Sequence, residues 1–397
     1  MFNHTMKVTI CNGGGQADYL YGLVSGLHET PINHIDVLDI DRSKEIFDHF
    51  PKVHFHSVYR YQNKGSSFLK KGSNIIRYYF LQTKHFLGAK PRIVHFQWLN
   101  RFYIADRIFI PLIARLKGHK VVLTVHNVNA GKRDNNDTWY NRITLKILYR
   151  LCSHLIVHTP GSRDELIRDF HIIQSKISVV KHGMNNKVTV SGISDKKARE
   201  KFNIAADRKV ILFFGNIDHY KGLDILIDSL PLLSEELKDK VSVIIAGNIK
   251  SPEYNKKITD LISKSPLKDK IIEFNRYISD EEIEFLFEAA DCIALPYRDI
   301  YQSGVLFMAY NFGTPPVVTR VGNFENDIQH GKTGLISDEI SARSLADSLE
   351  HFFSSSLYTN KNETRKYIKT WAKQNYSWSS IGQVTLGIYE KLLQNGK

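Results

Sequence analysis

The chain has 397 residues, 42% of them apolar and 24% charged, with a formal net charge of +13. This length exceeds one ordinary core and predicts two domains of a folded, soluble kind. No run of about 18 uncharged apolar residues exists to span a bilayer. Met1 to Met6 leads straight into a strand-like segment without a signal-peptide pattern, so a cytoplasmic protein is expected. Cys11, Cys152 and Cys292 lie in apolar segments without metal-site or disulfide spacing and are read as reduced core residues.

In chain order, Lys7–Cys11 is a β-branched run, followed by glycines and a helical stretch from Gln16 to about His28. Ile35–Ile40, Ile93–Gln97, Val121–Val125 and Leu155–Thr159 are further apolar runs of strand length, with helix-length segments at Tyr103–Leu116 and Thr138–Cys152. That alternation predicts a parallel sheet covered on both faces. After a polar stretch around Asn185–Lys196 a second series begins, with strands at Val210–Phe214, Val241–Ala246, Ile271–Phe274, Cys292–Leu295 and Pro316–Thr319. Leu223, Leu226, Ile227, Leu230 and Leu233 between them recur at helical spacing. Ser377–Leu393 carries Ile381, Val384, Ile388 and Leu392 on one face and has no strand after it, so it must dock elsewhere. The reading is α/β, two doubly wound domains over 1–188 and 189–375 with a terminal helix over 376–397.

Asn12-Gly13-Gly14-Gly15 sits between the first strand and the first helix, where glycines let backbone amides approach a phosphate or a sugar. Asp18 occupies the final glycine position of G-x-G-x-x-G, which argues against a nicotinamide or flavin site. A tight strand–helix turn is the plain alternative. His126 ends Val121–Val125, at the strand end that faces the ligand crevice of an open parallel sheet; His95 has a similar place, and either residue can also be structural. In Phe213-Phe214-Gly215-Asn216-Ile217-Asp218-His219-Tyr220-Lys221-Gly222 a strand ends, a glycine opens the turn and Lys221 introduces the next helix. A lysine there opposes the macrodipole unless a phosphate lies between, and a solvated surface lysine is the alternative. The most specific stretch runs from Pro296 to Leu335, where Ser303-Gly304-Val305 starts a helix and presents unpaired amides.

The order of these motifs resembles the retaining glycosyltransferases of family 4, which have the GT-B architecture, two Rossmann-like domains facing a cleft with the final helix crossing back to the first. The resemblance covers most of the chain and is strongest over Val210–Leu335. It implies transfer of a sugar, with retention, from a nucleotide-diphosphate sugar to a saccharide or lipid-linked acceptor, as in cell-surface polysaccharide or glycolipid synthesis. It further implies that Gly14 and Gly15 lie near the donor phosphates and acceptor, that His126 contacts the transferred sugar, and that Lys221 pairs with the diphosphate. Gly215 and Asn216 belong to the same donor loop. Ser303, Gly304 and Val305 match the amides that hold the distal phosphate, and Tyr277 and Ile278 fall where the family touches the base. Asn216 replaces the family's arginine, and Tyr301 and Ala309 stand at the positions of two glutamates. A donor-binding subunit with weak or no turnover, or a nucleotide-sugar epimerase of the same architecture, are the alternatives. No cofactor is expected beyond the donor substrate, and no Asp-x-Asp element is placed to hold a metal.

Between Asp48 and Asp106 there is no acidic residue, while Lys52, Arg60, Lys64, Lys70, Lys71, Arg77, Lys84, Lys90, Arg92 and Arg101 supply ten cations. No nucleic-acid motif accompanies them, so an anionic membrane surface at the inner face is the expected partner. Within the block Phe68, Leu69, Ile75, Ile76, Tyr79, Phe86 and Leu87 recur at near-helical spacing, and their apolar face is expected to enter the core.

Overall fold

The computed structural model describes residues 6–61, 67–99, 102–133, 137–185, 188, 190–249 and 251–394. Lys64, Arg101 and part of the polar stretch near residue 187 lie outside the described residues. The chain divides into two compact units, the first of residues 1–183 with 376–397 and the second of 184–375.

The first unit is built on seven parallel strands: β1 (Lys7–Cys11), β2 (His34–Ile40), β3 (Val53–Tyr59), β4 (Ile93–Phe96), β5 (Lys120–Thr124), β6 (His154–Val157) and β7 (Ile177–Val179), in the order β3-β2-β1-β4-β5-β6-β7. The second has six, β8 (Lys209–Phe214), β9 (Val241–Ala246), β10 (Ile271–Phe274), β11 (Cys292–Leu295), β12 (Pro316–Thr319) and β13 (Leu335–Ser337), in the order β10-β9-β8-β11-β12-β13. Both are doubly wound, Rossmann-like sheets whose order reverses beside the first strand, between β1 and β4 and between β8 and β11. The central strands are buried on both faces, which is why they read as continuous apolar runs. β3, β7 and β13 were not legible. β3 alternates histidines with apolar residues at a sheet edge, and β7 and β13 are three residues each.

The last helix, Trp378–Gln394, belongs to the first unit and packs along Ala17–His28. Small residues make that approach possible. A Cβ on Gly22 would lie 2.0 Å from the Trp378 indole, and one on Gly382 would lie 2.3 Å from the Gly26 carbonyl oxygen. Tyr389 of the same helix bonds His95 Nδ1 at 2.6 Å, while His95 Nε2 meets Thr124 Oγ1 at 2.8 Å. His95 is thus a fully buried structural histidine with both nitrogens in use.

The Phe68–Gly88 helix departs from its expected orientation. Its inward residues are Asn74, Tyr78, Gln82 and Phe86, whereas Phe68, Leu69, Ile76, Phe80 and Leu87 are exposed. Asn74 is drawn inward because it accepts from Arg60 N at 2.9 Å and donates to Arg60 O at 2.6 Å, satisfying the backbone just beyond β3. All three cysteines are buried and free, and burial pushes each thiol up.

Candidate functional sites at the two sheet switch points

In the first unit the carboxyl ends of β1, β4 and β5 carry Asn12 to Gly15, Gln97 with Trp98, and His126. The glycine loop turns with φ of 61° at Gly13 and 84° at Gly14, and a Cβ on Gly15 would stand 2.9 Å from Asn12 Oδ1 and 3.0 Å from Trp98 Cβ. Asn12 is fixed from behind by Asp39, donating from Nδ2 at 3.1 Å. The Trp98 and His126 rings lie 5.4 Å apart, and Tyr19 meets His126 edge-on at 4.6 Å. Gly14, Gly15 and His126 thus fall on one sheet edge together with Trp98 and Tyr19, which sequence reasoning did not single out.

His126 belongs to a neutral histidine cluster. Burial, then the imidazoles of His158, His182 and His95, push it well below the ordinary histidine range. Burial takes His158 down to about 3 and His182 to about 4. Hydrogen bonding then selects the tautomers. His158 Nδ1 lies 2.9 Å from the Val180 carbonyl oxygen, which only accepts, so Nδ1 carries the proton and Nε2 a lone pair. That lone pair faces His126 Nδ1 at 3.3 Å, so His126 donates from Nδ1 and keeps Nε2 as an acceptor. An unprotonated Nε2 in a half-buried aromatic setting can accept a hydroxyl hydrogen and carries no charge.

The second unit's site is made differently. Gly215 leaves β8 with φ of 111°, a conformation that glycine tolerates, and a Cβ there would lie 3.0 Å from Lys221 Nζ and 3.2 Å from Val305 Cγ2. Gly215, Lys221 and Val305 therefore line one cradle beside the β8/β11 switch point. Lys221 is buried and stands over the Tyr297 ring with Nζ 5.5 Å from its centroid. It does not open the following helix directly: it closes the short turn His219–Lys221, and Gly222 at φ 67° precedes Leu223–Ser229. Ser303 caps Gly304–Phe312, its Oγ accepting from Leu306 N at 3.4 Å and lying 3.3 Å from the Tyr297 hydroxyl. Gly304 is exposed at the helix start and Asn216 on the loop beyond Gly215.

An ion-paired clamp holds the Lys221 turn. Arg298 grips Asp224 through two bonds, 2.8 and 2.9 Å, and the His219 carbonyl oxygen at 2.9 Å. Lys257 and the Tyr254 hydroxyl donate to the same carboxylate at 2.6 and 2.9 Å. Burial alone raises the Asp224 carboxyl, but the bonds from Arg298 and Lys257 outweigh it and hold the group well below the usual range. None of these four residues was legible from the sequence, because they come from three separated segments that meet only in the fold. Tyr277, exposed, and Ile278, buried, follow β10 on another part of the same sheet edge. Of the two glutamate positions, Ala309 is fully buried in its helix and Tyr301 half-buried.

Residues 194–375 match the model of the group 1 glycosyl transferases, and residues 13–187 that of glycosyltransferase family 4. Among curated relatives, the mannosylfructose-phosphate synthase of Agrobacterium fabrum is 27% identical over 62% of this chain and 54% of its own length. The D-inositol 3-phosphate glycosyltransferase of Corynebacterium aurimucosum is 27% identical over 64% of this chain and 59% of its own. The matched region thus spans little more than half the length of these relatives. Among solved structures, Anabaena HepE in complex with UDP and glucose superposes with a TM-score of 0.75 at 17% identity, covering 97% of this chain and 100% of that one. Sucrose-phosphate synthase from Thermosynechococcus elongatus gives 0.76 at 16% identity, covering 98% and 100%. These structural likenesses speak for the GT-B fold.

Proposed function

Because the chain belongs to the group 1, family 4 glycosyltransferases, we propose that it moves a sugar, with retention, from a nucleotide-diphosphate sugar onto a saccharide or lipid-linked acceptor. The observation that carries the donor assignment is the cradle at Gly215, where a buried ammonium and a helix start converge on a residue without a side chain. Such a cradle suits a diphosphate. That the HepE structure holds UDP and glucose is consistent with it.

In this reading the acceptor hydroxyl attacks the face from which the diphosphate departs. The sugar's bond to phosphate oxygen breaks as the new glycosidic bond forms, and the acceptor's proton passes to the departing phosphate. Lys221 and the amides of Ser303, Gly304 and Val305 stabilise the growing negative charge without proton transfer. His126 orients the sugar through its Nε2 acceptor, Gly14 and Gly15 approach the phosphates and acceptor, and Tyr277 with Ile278 meets the base. No metal takes part. Screening a panel of nucleotide-diphosphate sugars for saturation transfer and thermal stabilisation tests the assignment. One or a few donors should bind, and transfer should persist in chelator. Absence of binding by every nucleotide sugar would overturn it. A donor-binding subunit without turnover is favoured by Tyr301 and Ala309 at the glutamate positions; donor binding with no transfer to any acceptor would select it, and epimerised donor without acceptor would select an epimerase.

We further propose that the first unit attaches to the inner face of an anionic membrane through the block at 49–105. Leu69, Ile76, Phe80 and Leu87 form an outward stripe on Phe68–Gly88, with Lys70, Arg77 and Lys84 seven residues apart along its flank. Among the described residues no helix is long and apolar enough to cross a membrane. Each basic side chain near an anionic surface contributes about 1 kcal/mol. Vesicle co-sedimentation should be salt-sensitive, confined to anionic lipid, and lost when Lys70, Lys71, Arg77 and Lys84 become glutamine; equal binding to neutral vesicles would contradict it.

A further inference from the structure

A separate cavity of about 570 Å³ opens between β2, β3 and the Phe68–Gly88 helix of the first unit. Leu38, Val58, Leu81 and Ala89 form its apolar wall, and five basic side chains line it: His56, Arg77, Lys84, His85 and Arg92. No carboxylate is among the lining residues. Asp36, which is not a lining residue, is already engaged, accepting from His56 Nε2 at 2.7 Å and paired with Arg92 at 2.5 Å, with His34 at 3.1 Å and with His85 at 3.7 Å. It fixes Arg92 and His56 in place and neutralises one cation.

Arg77 and Lys84 are left over. Neither has an ion-pair partner among the described residues. Arg77 donates from Nη2 to the Ser57 carbonyl oxygen at 3.0 Å, yet its Nε is buried with no acceptor. The helix presents its carboxyl-terminal end here, so its dipole opposes an anion, and any anion affinity comes from the side chains alone.

We propose that this cavity binds a phosphate ester, with Arg77 and Lys84 meeting its oxygens and the apolar wall taking the group that the phosphate bears. A phospholipid headgroup and a soluble phosphorylated molecule share this chemistry. The inference is independent of donor binding in the second unit and stands on the cavity even if the protein does not dock on membranes.

The test uses the full chain and glycerol 3-phosphate as the soluble probe, followed by calorimetry or ³¹P line broadening. Wild type should bind it, Lys84→Glu and Arg77→Gln should each weaken binding at least tenfold, and Lys221→Gln should leave it unchanged. Lys84→Glu alters an exposed side chain without an ion-pair partner, so a folding defect would not mask the result. Anionic phosphatidylglycerol vesicles then distinguish the source. Vesicles that displace glycerol 3-phosphate from wild type assign a lipid headgroup, and vesicles that bind without displacing it assign a soluble ester. No binding of glycerol 3-phosphate, or binding that Lys84→Glu and Arg77→Gln leave intact, overturns the proposal.

Discussion

The two switch-point sites stand at equivalent places in equivalent sheets and are made of opposite materials. In the first unit the lining is neutral: His126, His158 and His182 are pressed by burial below the range in which they would be charged, among the rings of Tyr19 and Trp98. In the second a buried lysine is held by a turn that Arg298, Asp224 and Lys257 clamp with ion pairs. Neutral imidazoles suit the hydroxyls of an uncharged sugar, because a buried charge there would gain no counter-ion. A fixed ammonium suits a diphosphate, whose charge grows as it leaves. In the proposed reading the same fold divides recognition between hydrogen bonding at one sheet edge and charge at the other.

That contrast first makes a prediction about pH. His95, His158 and His182 have folded values of about 3, 3 and 4, below the ordinary unfolded value near 6.5. The unfolded chain therefore binds more protons than the folded one as pH drops below 6.5, and the stability these groups contribute is complete above that value. It is lost as pH falls through about 4, on the order of several kcal/mol in sum. Hydrogen exchange followed across pH 7 to 4 should show the first unit opening well before the second. Simultaneous loss of protection in both units would break the comparison.

The second unit should fail to a different insult. Asp224→Asn removes the charge that Arg298 and Lys257 share, and should cost about 2–3 kcal/mol of that unit's stability and loosen the Lys221 turn. Donor affinity should fall with it, and high salt should weaken wild type toward the variant. A mutant as stable as wild type with unchanged donor affinity would show that the clamp does not position Lys221.

A smaller effect is expected at His158. His158→Gln keeps a polar side chain but removes the ring nitrogen that fixes the His126 tautomer. Turnover should drop about fivefold, near 1 kcal/mol, with nucleotide binding unaltered. Nitrogen NMR of the His126 ring should show Nδ1 protonated in wild type and a mixture of tautomers in the variant. An unchanged tautomer would remove His158 from the account.

Much of this arrangement was legible beforehand, for identifiable reasons. Strands such as Val241–Ala246 and Cys292–Leu295 are buried on both faces and announce themselves as apolar runs. The strand-end turn at Gly215 and the helix cap at Ser303 were legible because a glycine after a strand and a serine before a helix mark turn and cap chemistry. The clamp was not, since Asp224, the helix turn bearing Tyr254 and Lys257, and Arg298 lie on three separated segments and meet only through packing. His158 was hidden likewise, its role set by the Val180 carbonyl. The Phe68–Gly88 helix misled for a physical reason: Asn74 is turned inward by the backbone it pairs with, and the apolar stripe is turned outward.

The central claim is that charge recognition belongs to Lys221 and sugar recognition to His126. Calorimetric binding of the nucleoside diphosphate, set beside transfer rates, tests it in Lys221→Ala and His126→Ala. Lys221→Ala should weaken nucleoside diphosphate binding roughly ten- to hundredfold, equivalent to about 1.5–3 kcal/mol. His126→Ala should leave that binding within about twofold while slowing transfer by the roughly 1 kcal/mol of one hydrogen bond or more, because the free diphosphate lacks the sugar that the proposal assigns to His126. If His126→Ala weakened diphosphate binding as much as it slowed transfer, or Lys221→Ala left binding unchanged in a folded protein, the division of labour would be contradicted.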